Sequence, residues 1–332
     1  MHILKGYTKQ EISWMMYDWA NSAHSVIIVT LLPIFFDTVA GYTADSVSSM
    51  STWGYATSIA MLIGALAAPF LGVFGDIRGM RKKLFSFFML LGVAACAGMA
   101  FTPGMDFTSG PVAAGKVASL ILVLYIVSVI GFDASAIYYD AFLTDVTIED
   151  RMDKVSTMGY GLGYIGGSTI PLLIFLIMNL VGVPMLTCLA FVFGLTAVWW
   201  LAFSLPLLKN CEQTSGKPYE KGDVARSIKG VGTTIKEIIA NKPMLIYILS
   251  YFFYIDGVHT VISMATTYGT NLGLDSTGMM LALLLVQILG LPFCLLYIKC
   301  SEKFGARTMV GFGICVYMFI CIFAFFMNSL WQ

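Results

Sequence analysis

The apolar positions of this 332-residue chain come in long blocks, and short polar stretches separate one block from the next. A helix needs about 20 consecutive apolar residues to cross a bilayer. Barrel strands would alternate apolar and polar positions over about ten residues, and these blocks do not alternate. The pattern predicts an all-α polytopic membrane protein with nine spans, at residues 13–36, 52–74, 84–102, 117–142, 156–179, 183–205, 244–267, 277–298 and 308–328.

Composition supports the same class of protein. Hydrophobic residues make up 58% of the chain and charged residues 11%, and the mean hydropathy is +0.83. A soluble domain carries about 25% charged residues, so this chain lacks the polar surface to stay in water. Lys5 and Lys9 flank the first block as in a signal peptide, but that block carries Asp18 and no small-residue cleavage site. We expect the first span to be retained.

The basic residues predict the orientation. Of the 19 Lys and Arg residues, all but Lys116 lie in the N-terminus or in the loops after spans two, four, six and eight. Short basic loops stay in the cytoplasm, so we expect a cytoplasmic N-terminus in an inner or plasma membrane. The formal net charge is zero, which gives no indication of a nucleic-acid partner.

One long hydrophilic stretch, residues 206–243, divides the spans into six and three. It predicts a six-helix N-terminal bundle at 1–205, a cytoplasmic linker at 206–243 and a three-helix, incomplete C-terminal bundle at 244–332. Within the linker one helical face is apolar, with Val224, Ile228, Val231, Ile235 and Ile238. Such a helix would rest on membrane lipid at the inner leaflet, and a partly ordered linker is the alternative.

A polar stripe occurs in span one and again in span seven. Both copies have polar residues at offsets 0, 3, 4 and 7, which trace one face of a helix. The first is Asp18, Asn21, Ser22 and Ser25; the second is Asp256, His259, Thr260 and Ser263. A loop motif repeats one helix later, with Asp76, Gly79 and Arg81 after span two and Glu302, Gly305 and Arg307 after span eight. The two repeats together predict a duplicated bundle with parallel halves.

The loop "GVFGDIRGMRKK", with its weaker copy "KCSEKFGAR", resembles the loop signature of the major facilitator superfamily. The segments "YDWANSA", "YDAFLTD" and "GYGLGYIGG" resemble a branch grouped with the autophagy-related vacuolar effluxer, which is linked to amino-acid release. The resemblance implies a helical bundle that transports a small organic solute by alternating access. It also implies gating roles for the loop residues Asp76, Gly79, Arg81, Glu302 and Arg307. Because that superfamily has twelve helices, a truncated or regulatory form that does not transport is the alternative.

Acidic residues inside the predicted spans are the candidates for a solute or ion pathway. A charge at the bilayer centre costs about 2.5–3.5 kcal/mol on insertion scales, so a retained acid faces protein or water. Asp256 lies near the middle of its span with His259 one turn away, and the two would pass a proton or hold a cation; a hydrogen bond that only joins helices is the alternative. The other candidates are Asp18, Asn21, Ser25, Asp133, Thr260 and Ser263. Asp18 lies close to the start of its span, so an acid that reaches the cytoplasmic edge or caps a gate is the alternative there. Asp140 lies near the inner boundary, where we expect it to pair with a loop Arg or Lys.

The glycine-rich "GYGLGYIGG" contains G-x-G-x-x-G but lies inside a span, so no dinucleotide cofactor is expected. The spacing of Gly159, Gly163 and Gly167 favours close helix packing or a sliding gate instead. The chain has three histidines in all, at separate places, and neither a metal-binding triad nor a nucleophile with a base can be assembled from neighbours. We expect no cofactor, no metal and no enzyme activity; an intramembrane transferase is the rival hypothesis.

Overall fold

The computed structural model describes residues 4–43, 49–216, 218, 223–271 and 276–327, without the side chains of 49–50, 223–229, 263–271, 276–277 and 280. Every element in these ranges is helical. The α-helices are α1 (Lys9–Ala40), α2 (Ser49–Gly75), α3 (Arg81–Met99), α4 (Pro111–Val146), α5 (Met152–Leu162), α6 (Ile170–Leu180), α7 (Met185–Asn210), α8 (Asp223–Ala240), α9 (Lys242–Asn271), α10 (Ser276–Phe304) and α11 (Ala306–Ala324).

The predicted spans are confirmed as helices. Within the described residues, nine helical segments are long and apolar enough to cross a membrane. One of them, Glu149–Leu180, joins α5 to α6 through a π-helical turn at Gly163–Thr169. Several helices run beyond the predicted ends, as α4 does from Pro111 to Val146, because backbone hydrogen bonding continues past the apolar block into the polar boundary.

The chain forms two compact units, Met1–Val224 and Ala225–Gln332, and their boundary falls within the predicted linker. In the first unit α1 is the most buried helix and packs against α4, α5 and α7. Large side chains that are less than 2% exposed fill this interior, and they include Trp14, Tyr17, Phe85, Phe142 and Trp200. The six-plus-three division of the spans stays a prediction.

Two local features set the position of α1. Its first turn is fixed by a capping box, in which Thr8 Oγ1 accepts from the Glu11 amide and Glu11 Oε2 accepts from the Thr8 amide. Further along, α1 lies against the π-helical turn Gly163–Thr169. Three glycines, Gly163, Gly166 and Gly167, lie in this turn, and an added Cβ at each of them would meet atoms of α1.

The second unit contains α8 to α11, and α9, α10 and α11 contact one another. No described residue of α11 is buried, and in α10 Leu291 and Ile298 are. Three spanning helices enclose little interior of their own, so most of their apolar side chains remain on the outside of this unit.

Candidate functional site

An acidic side chain is held between three helices of the first unit. Asp18 of α1 is half-buried, and its Oδ2 accepts a 2.7 Å hydrogen bond from the Tyr139 hydroxyl of α4. On its other side lies Gly159 of α5, where an added Cβ would come within 2.5 Å of the same oxygen. The predicted pathway residue Asp18 therefore lies at the junction of α1, α4 and α5, with a neutral phenol as its hydrogen-bond donor.

Aromatic packing fixes the position of that phenol. Trp14 stacks on the Tyr139 ring at 4.3 Å between centroids, and its Nε1 donates to the Tyr139 carbonyl at 2.9 Å. Tyr17 shares a 2.8 Å hydrogen bond with Ser135 and accepts another, at 3.3 Å, from Trp200 Nε1. Because the donors and acceptors are buried among helices, these bonds hold α1, α4 and α7 in one register.

The rest of the first stripe faces neighbouring helices. Asn21 is buried and Ser25 is half-buried, while Ser22 lies against Gly163. His24 is buried, stacks on Phe132 at 4.8 Å and lies 3.2 Å from the Ser128 hydroxyl through its Nε2. These contacts give His24 a helix-packing role.

The glycine stripe packs directly on α1. An added Cβ at Gly163 would lie 3.1 Å from the Asp18 carbonyl oxygen, and one at Gly167 would lie 2.6 Å from the Trp19 carbonyl oxygen. Backbone thus meets backbone along this contact, with Gly159 completing the stripe at the Asp18 carboxylate. The predicted packing role of Gly159, Gly163 and Gly167 is confirmed.

The aspartates of α4 are separated from one another. Asp133 is half-buried and lies on the α2 side, where a Cβ at Gly64 would be 3.6 Å from its Oδ2. The contacts that hold Asp18 run instead to α4 and α5. Asp140 is exposed, and the aspartate of α4 that pairs with a loop arginine is Asp145, further along the helix. The expected pair of Asp140 with a loop Arg or Lys is not seen among the described residues, where the last turn of α4 brings Asp145 to the loop.

The loop motif after α2 meets α4 through a buried ion pair. Arg81 Nη1 donates to Asp145 Oδ2 and, at 2.9 Å, to the Ala141 carbonyl, and its guanidinium lies 5.7 Å from the Phe142 ring centroid. The two charged side chains are 6% and 0% exposed, so the pair is shielded from solvent. Gly79 has a φ of +81°, which turns the chain into α3, while Asp76 is exposed at the side of the turn.

A second ion pair lies at the same end of the bundle. Glu11 is 2% exposed at its side chain and accepts from Arg151 Nε and Nη2, both at 2.9 Å, and from the Thr147 hydroxyl at 2.7 Å. Arg151 also donates to the Gly6 carbonyl at 3.0 Å. Neither this pair nor Asp145 was predicted from the sequence. The signal for Asp145 was present, because it ends the quoted segment "YDAFLTD".

The second stripe lies on α9. Asp256, His259 and Thr260 are exposed on this helix, and the side chain of Ser263 lies outside the described residues. In the repeated loop motif Glu302 and Arg307 are exposed, and Gly305 has the same φ of +81° as Gly79. The two copies of the motif thus share a backbone feature as well as a sequence.

Metal-ligating groups are scattered. Within the described part of the chain, no three His, Cys, Asp or Glu side chains are grouped so that they could hold a metal ion.

Comparison with known proteins gives a consistent result over nearly the whole chain. The family model described as "Vacuole effluxer Atg22 like" matches residues 7–148 and 144–331. The "Uncharacterized MFS-type transporter YxiO" of Bacillus subtilis (strain 168) is 39% identical over 335 residues, which cover 98% of this chain and 76% of YxiO. Autophagy-related protein 22-1 of Penicillium rubens is 24% identical over 188 residues, 53% of this chain and 32% of that protein.

The fold is shared with a solved transporter structure. The partially occluded, inward-open conformation of the xylose transporter XylE from E. coli aligns with a TM-score of 0.51 and 16% sequence identity. The alignment covers 90% of this chain and 72% of that chain. At this identity the similarity shows the major-facilitator fold alone.

Proposed function

This chain belongs to the Atg22-like vacuole effluxer family and is a transporter of the major-facilitator type, and from that premise we propose that it carries a small organic solute across a membrane by alternating access. Amino acids are the first solutes to test, because the segments "YDWANSA", "YDAFLTD" and "GYGLGYIGG" resemble a branch linked to amino-acid release. The work it performs is vectorial transport, and no enzyme activity is proposed.

The observation that carries this proposal is the placement of Asp18. An acid retained among membrane helices faces protein or water, and such residues typically line ion or solute pathways. Asp18 lies where α1, α4 and α5 meet, with Tyr139 as its donor. This geometry supports a polar position on a solute route that the helices of the first unit line.

The corresponding position in the second repeat is Asp256, and we assign the coupling of transport to protons or another cation to this residue and His259. Both side chains are exposed on α9 and are not enclosed by the packing of the second unit. A carboxylate and an imidazole one helical turn apart can share or pass a proton.

The basic loops support a cytoplasmic N-terminus. In this orientation the Arg81–Asp145 pair lies at the cytoplasmic end of the first bundle. A charged pair that forms in one state and breaks in the other biases the equilibrium between the states. We therefore assign a gating role to the two loop motifs, in which Gly79, Arg81 and Asp76 belong to the first and Glu302 and Arg307 to the second.

Uptake by proteoliposomes tests the proposal. Wild-type protein should accumulate amino acids from a mixture above the level of protein-free liposomes, and a pH gradient should increase the accumulation. Asp256→Asn should abolish the gradient-driven part while insertion is unchanged. Asp106→Asn, an acid-to-amide change in the loop between α3 and α4, is the matched control. Gradient-driven transport that survives in Asp256→Asn would remove the coupling assignment, and no uptake of any tested solute by wild type would remove the transport proposal for that class.

A further inference from the structure

After α7 the chain stays in contact with the first unit for six residues. Residues Cys211–Gly216, which we call the strap, bend back along one end of the first unit. Just before the strap, Asn210 Nδ2 donates to the Ser13 hydroxyl at 2.9 Å. The Cys211 thiol is buried against the Gln10 carbonyl, with 3.6 Å between sulfur and oxygen. The origin of the strap is therefore attached to the first turn of α1.

Gln213 then satisfies three backbone groups of the turn between α2 and α3. Its Oε1 accepts from the amides of Gly79 at 2.9 Å and Arg81 at 3.3 Å. Its Nε2 donates to the Gly75 carbonyl at 2.9 Å. A single side-chain amide thus holds both ends of the turn that carries Arg81, and a residue without both an acceptor and a donor could not replace it.

Asp145 joins the strap to the ion pair. Its Oδ1 accepts from the amides of Thr214 and Ser215 at 3.1 and 3.0 Å and from both of their hydroxyls at 2.8 Å. Its other oxygen, Oδ2, accepts from Arg81. One carboxylate therefore divides its two oxygens between the strap and the arginine, and any movement of Asp145 disturbs both.

Gly216 ends the strap with a backbone conformation that favours glycine. Its φ is +116°, and an added Cβ would lie 2.7 Å from the Asp76 carbonyl oxygen and 3.2 Å from the Arg78 amide nitrogen. The strap is thus packed backbone against backbone on the same turn that Gln213 holds. A side chain at this position would have to move the strap away from the turn.

We propose that the strap is a positioning element of the gate, which holds the turn and Asp145 in the register that pairs Arg81 with Asp145. Opening of that pair and release of the strap are then one coupled event. The gating role of the strap rests on the proposed transport function. Because the strap begins the segment that leads to α8, a pull on that segment acts on Asp145 and on the turn at the same time.

Cys211 provides a native reporter of strap release. It is fully buried, and burial raises the pKa of its thiol to about 12, so little thiolate is present at neutral pH. The test uses the full chain in detergent micelles with the four less buried cysteines replaced by alanine, namely Cys294, Cys300, Cys315 and Cys321. Maleimide modification of Cys211 is followed with time and located by mass spectrometry.

The strap proposal makes a definite prediction for labelling. Gln213→Leu and Gly216→Ala should each label at Cys211 about tenfold faster than the parent, since each removes contacts that keep the strap closed. Gln213→Glu keeps the two acceptor contacts and should label at an intermediate rate. Glu212→Gln, an exposed neighbour, should match the parent. Equal Cys211 labelling in all of these variants would overturn the proposal.

Two controls separate strap release from other causes. Cys96 in α3 is also fully buried, and it should stay unlabelled; fast labelling of both cysteines in Gln213→Leu and Gly216→Ala would mean that the bundle unfolds and would overturn a local role. Asp145→Asn should expose Cys211 as Gln213→Leu does, and the double variant should exceed neither single variant by more than about twofold, because one coupled event is already released. If the two increases in Cys211 labelling rate multiply in the double variant, strap release and opening of the ion pair are independent, which would contradict the proposal.

Cys211 labelling needs no solute, so its result is independent of the result of the transport experiment. If Cys211 responds as expected and wild type moves no tested solute, the strap stands and the transport assignment for those solutes falls. Where uptake is measurable, Gln213→Leu should lower the maximal rate about tenfold with little change in the solute concentration that gives half of it, since the solute site is untouched. A change confined to that concentration would contradict a gating role.

Discussion

Tyr139 of α4 donates a 2.7 Å hydrogen bond to Asp18 of α1, and Gly159 of α5 closes the space on the other side of the carboxylate. An acid, a phenol and a bare backbone therefore meet at one point inside the first bundle. The phenol is itself fixed by the Trp14 ring, so its hydroxyl is aimed before any solute arrives. Such preorganisation is what a polar position on a transport route requires.

Tyr139→Phe should reduce transport about tenfold or more while the protein remains folded. The variant keeps the stacked ring and removes the hydroxyl, and a hydrogen bond contributes about 0.5–1.5 kcal/mol, or about 1.5–3 kcal/mol where one partner is charged. The measurement is initial uptake rate together with the apparent thermal midpoint in detergent. Tyr138→Phe is the matched control, because Tyr138 donates to the Leu71 carbonyl and has no contact with the acid. Equal loss in both variants would contradict a specific role for the Asp18 contact.

Gly167→Ala should destabilise the protein. The added methyl would lie 2.6 Å from the Trp19 carbonyl oxygen and 2.7 Å from Ser22 Cβ, and overpacking typically costs about 1–3 kcal/mol. Gly115→Ala in α4 is the control, since an added Cβ there meets nothing within 4 Å, and a helical glycine replaced by alanine gains about 0.5–1 kcal/mol. Thermal unfolding in detergent should move in opposite directions for the two. A midpoint that falls equally in both would argue against close packing of α1.

The apolar pattern of the sequence predicted the helices well because it directly reflects where lipid or protein surrounds the chain. The same holds for the glycine stripe, whose spacing of four places Gly159, Gly163 and Gly167 on one face. These are local features. The apolar blocks and the glycine stripe each depend on the sequence of a single helix, and the tertiary structure determines only which neighbour packs against that helix.

The contacts of the strap and of Asp145 with the turn between α2 and α3 were not predictable in that way. Gln213 contacts Gly79 and Asp145 contacts Arg81, and these partners are separated by 134 and 64 residues along the chain. A glutamine, a serine or a threonine in a polar loop has the same hydrogen-bonding capacity wherever it lies, so only the folded backbone selects its partner. Asp140 was expected to pair with a loop arginine or lysine, and the role of Asp145 was not foreseen, since position in the helix alone cannot show which turn reaches the loop.

Arg81→Gln and Asp145→Asn should each lower stability and transport sharply. Both side chains are almost fully buried, and removal of one partner from a buried pair costs about 3–5 kcal/mol because the other charge is left without compensation. The double variant removes both charges and should recover part of that loss. Thermal midpoints of the two single variants and the double variant measure this coupling. Arg78→Gln, an exposed change in the same turn, should leave the midpoint near the parent value. Strictly additive losses would contradict an energetically coupled pair.

Gly79 and Gly305 offer a test of the duplicated loop motif. Both have a φ of +81°, and an added Cβ at either position meets nothing within 4 Å, so any cost of substitution comes from the backbone alone. At Gly305 the ψ of 148° lies in a region that glycine alone populates readily, where another residue costs about 1–3 kcal/mol. Gly79→Ala and Gly305→Ala should therefore each lower the apparent thermal midpoint despite the open space.

Helical glycines with equally open surroundings are the control for this pair. Gly72→Ala in α2 and Gly311→Ala in α11 also meet nothing within 4 Å, and both should leave the midpoint unchanged or raise it. The comparison separates conformational strain from lost space, because no variant of the four creates a clash. Similar losses at Gly79 and Gly305, with none at the helical positions, are expected if the same turn geometry is required in both copies. Tolerance at one motif and loss at the other would show that the two loops no longer share a structural requirement.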